Sequence, residues 1–157
     1  MATTQQDRRV NLDAGPTLQL EHRYDHSVER VWKAITSADE LRHWFPPGAE
    51  LKVTECEPPH LLAGSWYGDQ LRFELRPDGD GCVLLFSHAF ADRRKAARDA
   101  AGWDCCFARF SALLAGEPMS EADSLRAWPD THERYAEQFG VDPELGRKTF
   151  AEHQAQH

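Results

Sequence analysis

The sequence predicts an α+β domain in which an antiparallel sheet packs on one long helix. Three observations carry that expectation. Over residues 93–116 the apolar residues Ala96, Ala100, Trp103, Phe107, Phe110 and Leu114 recur at intervals of four and three, which is one face of a long helix. Residues 70–76 alternate instead, with Leu71, Phe73 and Leu75 set against Gln70, Arg72, Glu74 and Arg76, the pattern of a half-buried strand. Pro77-Asp78-Gly79-Asp80-Gly81 then supplies hairpin-turn chemistry, so the sheet is expected to be a meander with one wet face. At 157 residues the chain is long enough for one core that hides about two-thirds of the unfolded surface.

Each element follows in order. Residues 1–16 are polar and close with Asn11, Asp13, Gly15 and Pro16, so they read as a flexible leader outside the domain. From residue 17 a strand begins whose inner face carries Leu18, Leu20, His22 and Tyr24. Asp25 or Ser27 can cap a short helix with Val28, Val31, Trp32 and Ile35 on its apolar side. Ser37 and Glu40 have capping-box spacing for a second short helix, which buries Leu41, Trp44 and Phe45 before Pro46-Pro47-Gly48 ends it. Strands are expected at 50–57, 61–67, 70–76 and 82–90, each bounded by Pro or Gly turns; on the last, Leu84, Phe86, His88 and Phe90 face inward. After the long helix, residues 117–157 offer helical spacing at Leu125, Trp128, His132, Tyr135 and Phe139, then a final helix with only Leu145 and Phe150 to bury. This tail is expected to lie as a helical extension on a domain spanning 17–116.

Composition narrows the function. With 18 basic against 26 acidic residues the chain carries a net charge of −8, which argues against a nucleic-acid groove or an anionic membrane surface as partner. No stretch approaches the roughly 20 apolar residues of a membrane helix, and Arg8-Arg9 precede no signal-peptide core, so a soluble cytoplasmic protein is expected. The four cysteines (Cys56, Cys82, Cys105, Cys106) lack zinc spacing and read as free thiols; the eight histidines are scattered. Neither metal nor cofactor is expected. Arg93, Arg94, Lys95 and Arg98 sit where the helix dipole disfavours cations, and read as a solvated face.

Strand, two short helices, antiparallel strands and a long C-terminal helix is the order of the helix-grip fold, a curved sheet wrapped around its last helix. Ser-Val-Glu-Arg-Val-Trp-Lys-Ala-Ile-Thr (27–36), Leu-Arg-His-Trp-Phe-Pro (41–46), Glu-Pro-Pro-His-Leu-Leu (57–62), Trp66, Leu-Arg-Phe-Glu-Leu (71–75) and Ala-Gly-Trp (101–103) go further and resemble the START-like superfamily. Within it, the chain is similar to the branch named after the activator of the heat-shock-protein-90 ATPase. The resemblance spans 18–116, and Trp128, Tyr135 and Phe139-Gly140 are similar to an extension of some bacterial members. One departure is visible. Members usually insert a strand or hairpin after the Trp-Phe-Pro motif, where here only Pro47-Gly48-Ala49 intervene. The sheet is expected to be one or two strands short, with the extension or a second subunit of a homodimer covering the open side.

The resemblance implies a binding module for a small hydrophobic molecule held between sheet and helix. The residues expected to line its cavity are His22, Tyr24, Trp66, Phe73, Phe86, His88, Ala96, Ala100, Trp103 and Phe107. Ala96 and Ala100 are expected to leave space opposite Phe86 and His88, with His88 orienting the ligand by a hydrogen bond. Most of these side chains also serve as ordinary core. Superfamily relatives include polyketide cyclases and aromatases, an alternative that would use His88 as acid or base with His22, Tyr24 or Asp104. A third reading is interaction with the chaperone; the eukaryotic co-chaperones carry a separate N-terminal domain besides this fold, for which 157 residues are not expected to leave space.

Overall fold

The computed structural model describes residues 6–11 and 17–156. Six strands form one sheet: β1 (Gln6–Asn11), β2 (Thr17–Tyr24), β3 (Lys52–Glu57), β4 (Leu61–Trp66), β5 (Asp69–Asp78) and β6 (Gly81–Ala89), in the spatial order β1-β2-β6-β5-β4-β3. Every neighbouring pair is antiparallel, so β3 to β6 make the expected meander and β2 returns beside β6. The leader reading is corrected at β1, which pairs with β2 from Gln6 opposite His22 to Asn11 opposite Thr17. A polar stretch suffices there, because an edge strand is held by backbone groups that every residue possesses. The remainder of the stretch read as a leader, 1–5 and 12–16, lies outside the described residues.

Register decides what faces the helix. Leu20 and Phe73 flank Phe86, while Leu18 and Leu71 flank His88, giving an inner face of matched apolar rows. Across it runs α3 (Ala96–Leu114), preceded by a 3-10 turn at Arg93–Lys95. Its aromatic half meets the sheet: the Phe86 ring lies 4.7 Å from Trp103 and 5.1 Å from Phe107, and Tyr24 lies 5.4 Å from Phe110. Among the described residues no helix is long and apolar enough to cross a membrane.

The two short helices close one end. Ser27 caps α1 (Val28–Thr36) by accepting from the Arg30 N–H at 3.1 Å. The capping box expected at α2 (Ala38–Leu41) does not form: Ser37 makes no side-chain cap, and Glu40 accepts instead from Arg30 Nη1 at 2.9 Å. Arg30 offers the Glu40 carboxylate a charged donor, where the cap offers only a neutral backbone N–H. Trp44 is fully buried behind them, donating its indole N–H to the Ala34 carbonyl at 2.8 Å and setting its ring 4.8 Å from Phe110.

The basic cluster is only in part a solvated face. After the short α4 (Glu121–Ser124) comes α5 (Trp128–Phe139), and Arg93 reaches from just before α3 to the carbonyl of Phe139 at 2.7 Å, where α5 ends at Gly140 in the left-handed region, φ 67°. A guanidinium there satisfies a carbonyl the helix leaves free. Tyr135 of α5 donates to Asp104 of α3 at 3.1 Å, so the extension is seated on the long helix. α6 (Glu144–Ala155) then packs on α5, with Phe150 stacked 4.6 Å from Trp128. Sequence patterning assigned the burial in α6 to Leu145 and Phe150, yet Leu145 is exposed and Gly146 is buried. A Cβ on Gly146 would stand 2.1 Å from His132 Nε2, so only glycine allows this approach. Gly146→Ala is expected to loosen α6 at a cost of about 1–3 kcal/mol, read as faster hydrogen exchange over 144–155. Unchanged exchange would show that the contact yields without cost.

Candidate functional site

The loop 46–51, which carries no strand or hairpin, is tied to the β4–β5 turn. The Trp66 indole donates to the Ala49 carbonyl and the Ala49 N–H donates to the Tyr67 hydroxyl, both at 3.1 Å. On one side of this loop a cleft of about 690 Å³ opens between the α1–α2 region and β3–β5; Ile35, Leu41, Phe45, Leu51, Leu62 and Phe73 are among its walls. On the other side a smaller cleft of about 310 Å³ runs between α3 and the extension, past Trp66, Gly102, Trp103, Leu125, Trp128 and Phe150. Gly102 faces this open space, where a Cβ would meet nothing within 4 Å. Pro46, Pro47, Arg109 and Glu121 border both spaces.

Arg109 is the unusual member of that junction. It is only 8% exposed, and among the described residues it makes no ion pair. Its Nη2 donates to the Cys106 sulfur at 3.5 Å, while its Nε is buried with no hydrogen-bond partner. Glu121 turns its carboxylate to His153, 3.2 Å away. Burial pushes the Cys105 and Cys106 thiols up to about 11 and about 12, which leaves both protonated and poor as nucleophiles.

His88 belongs to a different construction. Trp103 Nε1 donates to its Nδ1 at 2.8 Å, and its Nε2 lies 2.8 Å from Asp69 Oδ2. Because an indole can only donate, Nδ1 must accept, so the ring proton sits on Nε2 and is given to Asp69. Burial holds the His88 pKa below its usual value, against the pull of Asp69, and protonating Nδ1 would break the bond to Trp103. Burial raises the Asp69 carboxyl, but the Ala91 N–H, His88 and the Lys95 ammonium outweigh it and hold the group below the ordinary range. Asp69, His88 and Asp99 approach one another within 4.8 Å. Their lone pairs are already engaged by Trp103, Ala91 and Arg98, the last 2.8 Å from Asp99, and Lys95 adds a positive charge, so the set does not suit a metal ion.

The sequence-based site residues are therefore divided. Phe73 forms part of the larger cleft, and Trp66 and Trp103 wall the smaller one. His22, Tyr24, Phe86, His88, Ala96, Ala100 and Phe107 are buried and line neither. Ala96 and Ala100 are fully buried, and beside His88 the Phe90 ring stacks at 3.9 Å with Phe139 6.1 Å from Phe90. His88 has no ring nitrogen left to orient a ligand. Sequence reasoning missed Arg109 and Gly102, and marked the 47–49 segment as a departure without placing site residues there. Arg109 had a signal: it is the only cation between Arg98 and Arg126, set between Phe107 and Phe110.

A family model described as "Activator of Hsp90 ATPase homolog 1-like protein" matches residues 25–115, more than half of the chain. The chain belongs to this family. Its superfamily is the START and polyketide-cyclase-like one, and the α+β helix-grip fold agrees. CalU16 from Micromonospora echinospora aligns with a TM-score of 0.65 at 22% identity, covering 88% of this chain and 98% of that one. A conserved protein of unknown function from Enterococcus faecalis gives 0.61 at 18% identity, covering 87% and 91%. A protein described as the Aha1 dimer from Colwellia psychrerythraea gives 0.52 at 17%, covering 61% and 95%. At these identities the likeness is one of fold. No curated protein matches the chain.

Proposed function

We propose that this family member binds a small hydrophobic molecule, and that it does so in the 690 Å³ cleft beside the loop 46–51. The supporting observation is that cleft itself, whose volume lies within the roughly 300–1,000 Å³ of small-molecule sites and whose walls are mostly apolar, with Arg42, Glu50, Arg109 and Glu121 as the charged members. Ligand binding is common to the superfamily's functional range, and an acid–base role for His88 is disfavoured by its two occupied nitrogens. Val53 of β3, which forms part of the cleft wall, is 54% exposed on an edge strand. A second copy covering that edge is part of the proposal, supported by the dimeric description of the Colwellia protein.

Nile red, a neutral apolar dye, is expected to gain fluorescence on binding the wild type. Ala38, an exposed residue at the cleft, offers a place to add bulk without disturbing the core, so Ala38→Trp should weaken the dye at least tenfold with unchanged circular dichroism. The same sample should sediment at twice the monomer mass. Absence of dye uptake by the wild type removes the binding reading, and a monomer at the dye-binding concentration removes the second copy.

A further inference from the structure

We infer that the molecule this cleft takes is an apolar monoanion, a hydrophobic carboxylic acid, whose acid group is received by Arg109. The inference rests on the binding reading above and adds the chemistry of the ligand's polar end.

Three observations converge. Arg109 is more than nine-tenths buried and among the described residues no carboxylate stands within ion-pair distance. A guanidinium cannot shed its charge at any working pH, so burial without a counter-ion is unfavourable unless something supplies one. Its Nε lacks a hydrogen-bond partner, and the single bond from Nη2 goes to a thiol sulfur, a weak acceptor. The side chain also borders both clefts at the place where they meet, so a ligand whose tail lies among Leu41, Leu62 and Phe73 can bring a head group to it.

The charge count favours a carboxylate over a phosphate monoester. One buried cation balances one negative charge, Glu121, which borders the same junction, would oppose a second, and the exposed Arg42 and Glu50 that also line the cleft offset each other. The chain as a whole carries −8, so the attraction is local to Arg109 and not a field of the whole protein.

Displacement of Nile red separates this inference from the one it rests on. Decanoate is expected to displace the dye from the wild type at about 10- to 100-fold lower concentration than 1-decanol, the difference a charge-assisted bond provides. Decyl phosphate should be the weaker of the two anions. Arg109→Met, which keeps the length without the charge, should bring decanoate to the level of 1-decanol while dye uptake persists. Arg109→Lys, which keeps the charge but loses the forked donors, should fall between. If the dye binds and the acid and alcohol displace it equally from the wild type, the inference fails while the binding reading stands. If decyl phosphate is the tightest, the monocarboxylate assignment is overturned. If no dye binds, both fall. The wild-type comparison holds even if Arg109→Met does not fold.

Discussion

Trp103→Ala is expected to lower stability by about 3–5 kcal/mol through lost core volume, with about 1–3 kcal/mol more for the acceptor it strands. The indole is 1% exposed, packs 4.7 Å from Phe86, 5.4 Å from Trp66 and 5.7 Å from Phe45, and is the donor to His88 Nδ1. Single domains have only about 5–15 kcal/mol in total, so the variant should be marginally folded at best. Trp103→Phe separates the two contributions, because it keeps most of the volume and removes only the donor. Urea midpoints for the three proteins should fall in the order wild type, Trp103→Phe, Trp103→Ala. A midpoint for Trp103→Ala equal to wild type would show that the long helix does not pack as described.

Asp69→Ala is expected to cost about 3–5 kcal/mol, because it leaves the His88 Nε2–H and the Ala91 N–H without the charged acceptor both now share. The same pair makes the fold acid-sensitive. His88 is held below its ordinary 6.5 by burial, so below that pH the unfolded chain takes up a proton that the folded chain refuses. Stability is therefore full above about pH 7 and declines as the pH falls through 6.5. His132, also pushed down by burial, adds to the same slope. Asp69 acts in the same direction at lower pH: its folded carboxyl lies below the ordinary 3.8, so its contribution is present above that value and is lost as pH falls through the folded one. Wild-type unfolding free energy in urea should thus fall from pH 8 to pH 5. A rise over that range would contradict a neutral, doubly bonded His88.

Periodicity was sufficient for whatever depends on one element at a time. The alternation in β5 and the four-and-three spacing of α3 each place one face in the core, and Leu71, Phe73, Leu75, Trp103, Phe107 and Phe110 are buried there. The family and the helix-grip order were legible for the same reason, since motifs and hydrophobic faces are local in the chain. Distances between elements are not. His88 and Ala100 share inward faces with the rest of the core, yet only the register of β5 and β6 and the seating of α3 decide that Asp69 and Trp103 take both of its nitrogens. Polar β1 joins the sheet through backbone groups that no side-chain pattern reports. Arg109 reads in sequence as one charge on a helix, and becomes a buried cation only because the loop 46–51 and the extension meet over it. Solvent exclusion is a property of neighbours that are distant in the chain, and that is what the tertiary structure alone decided.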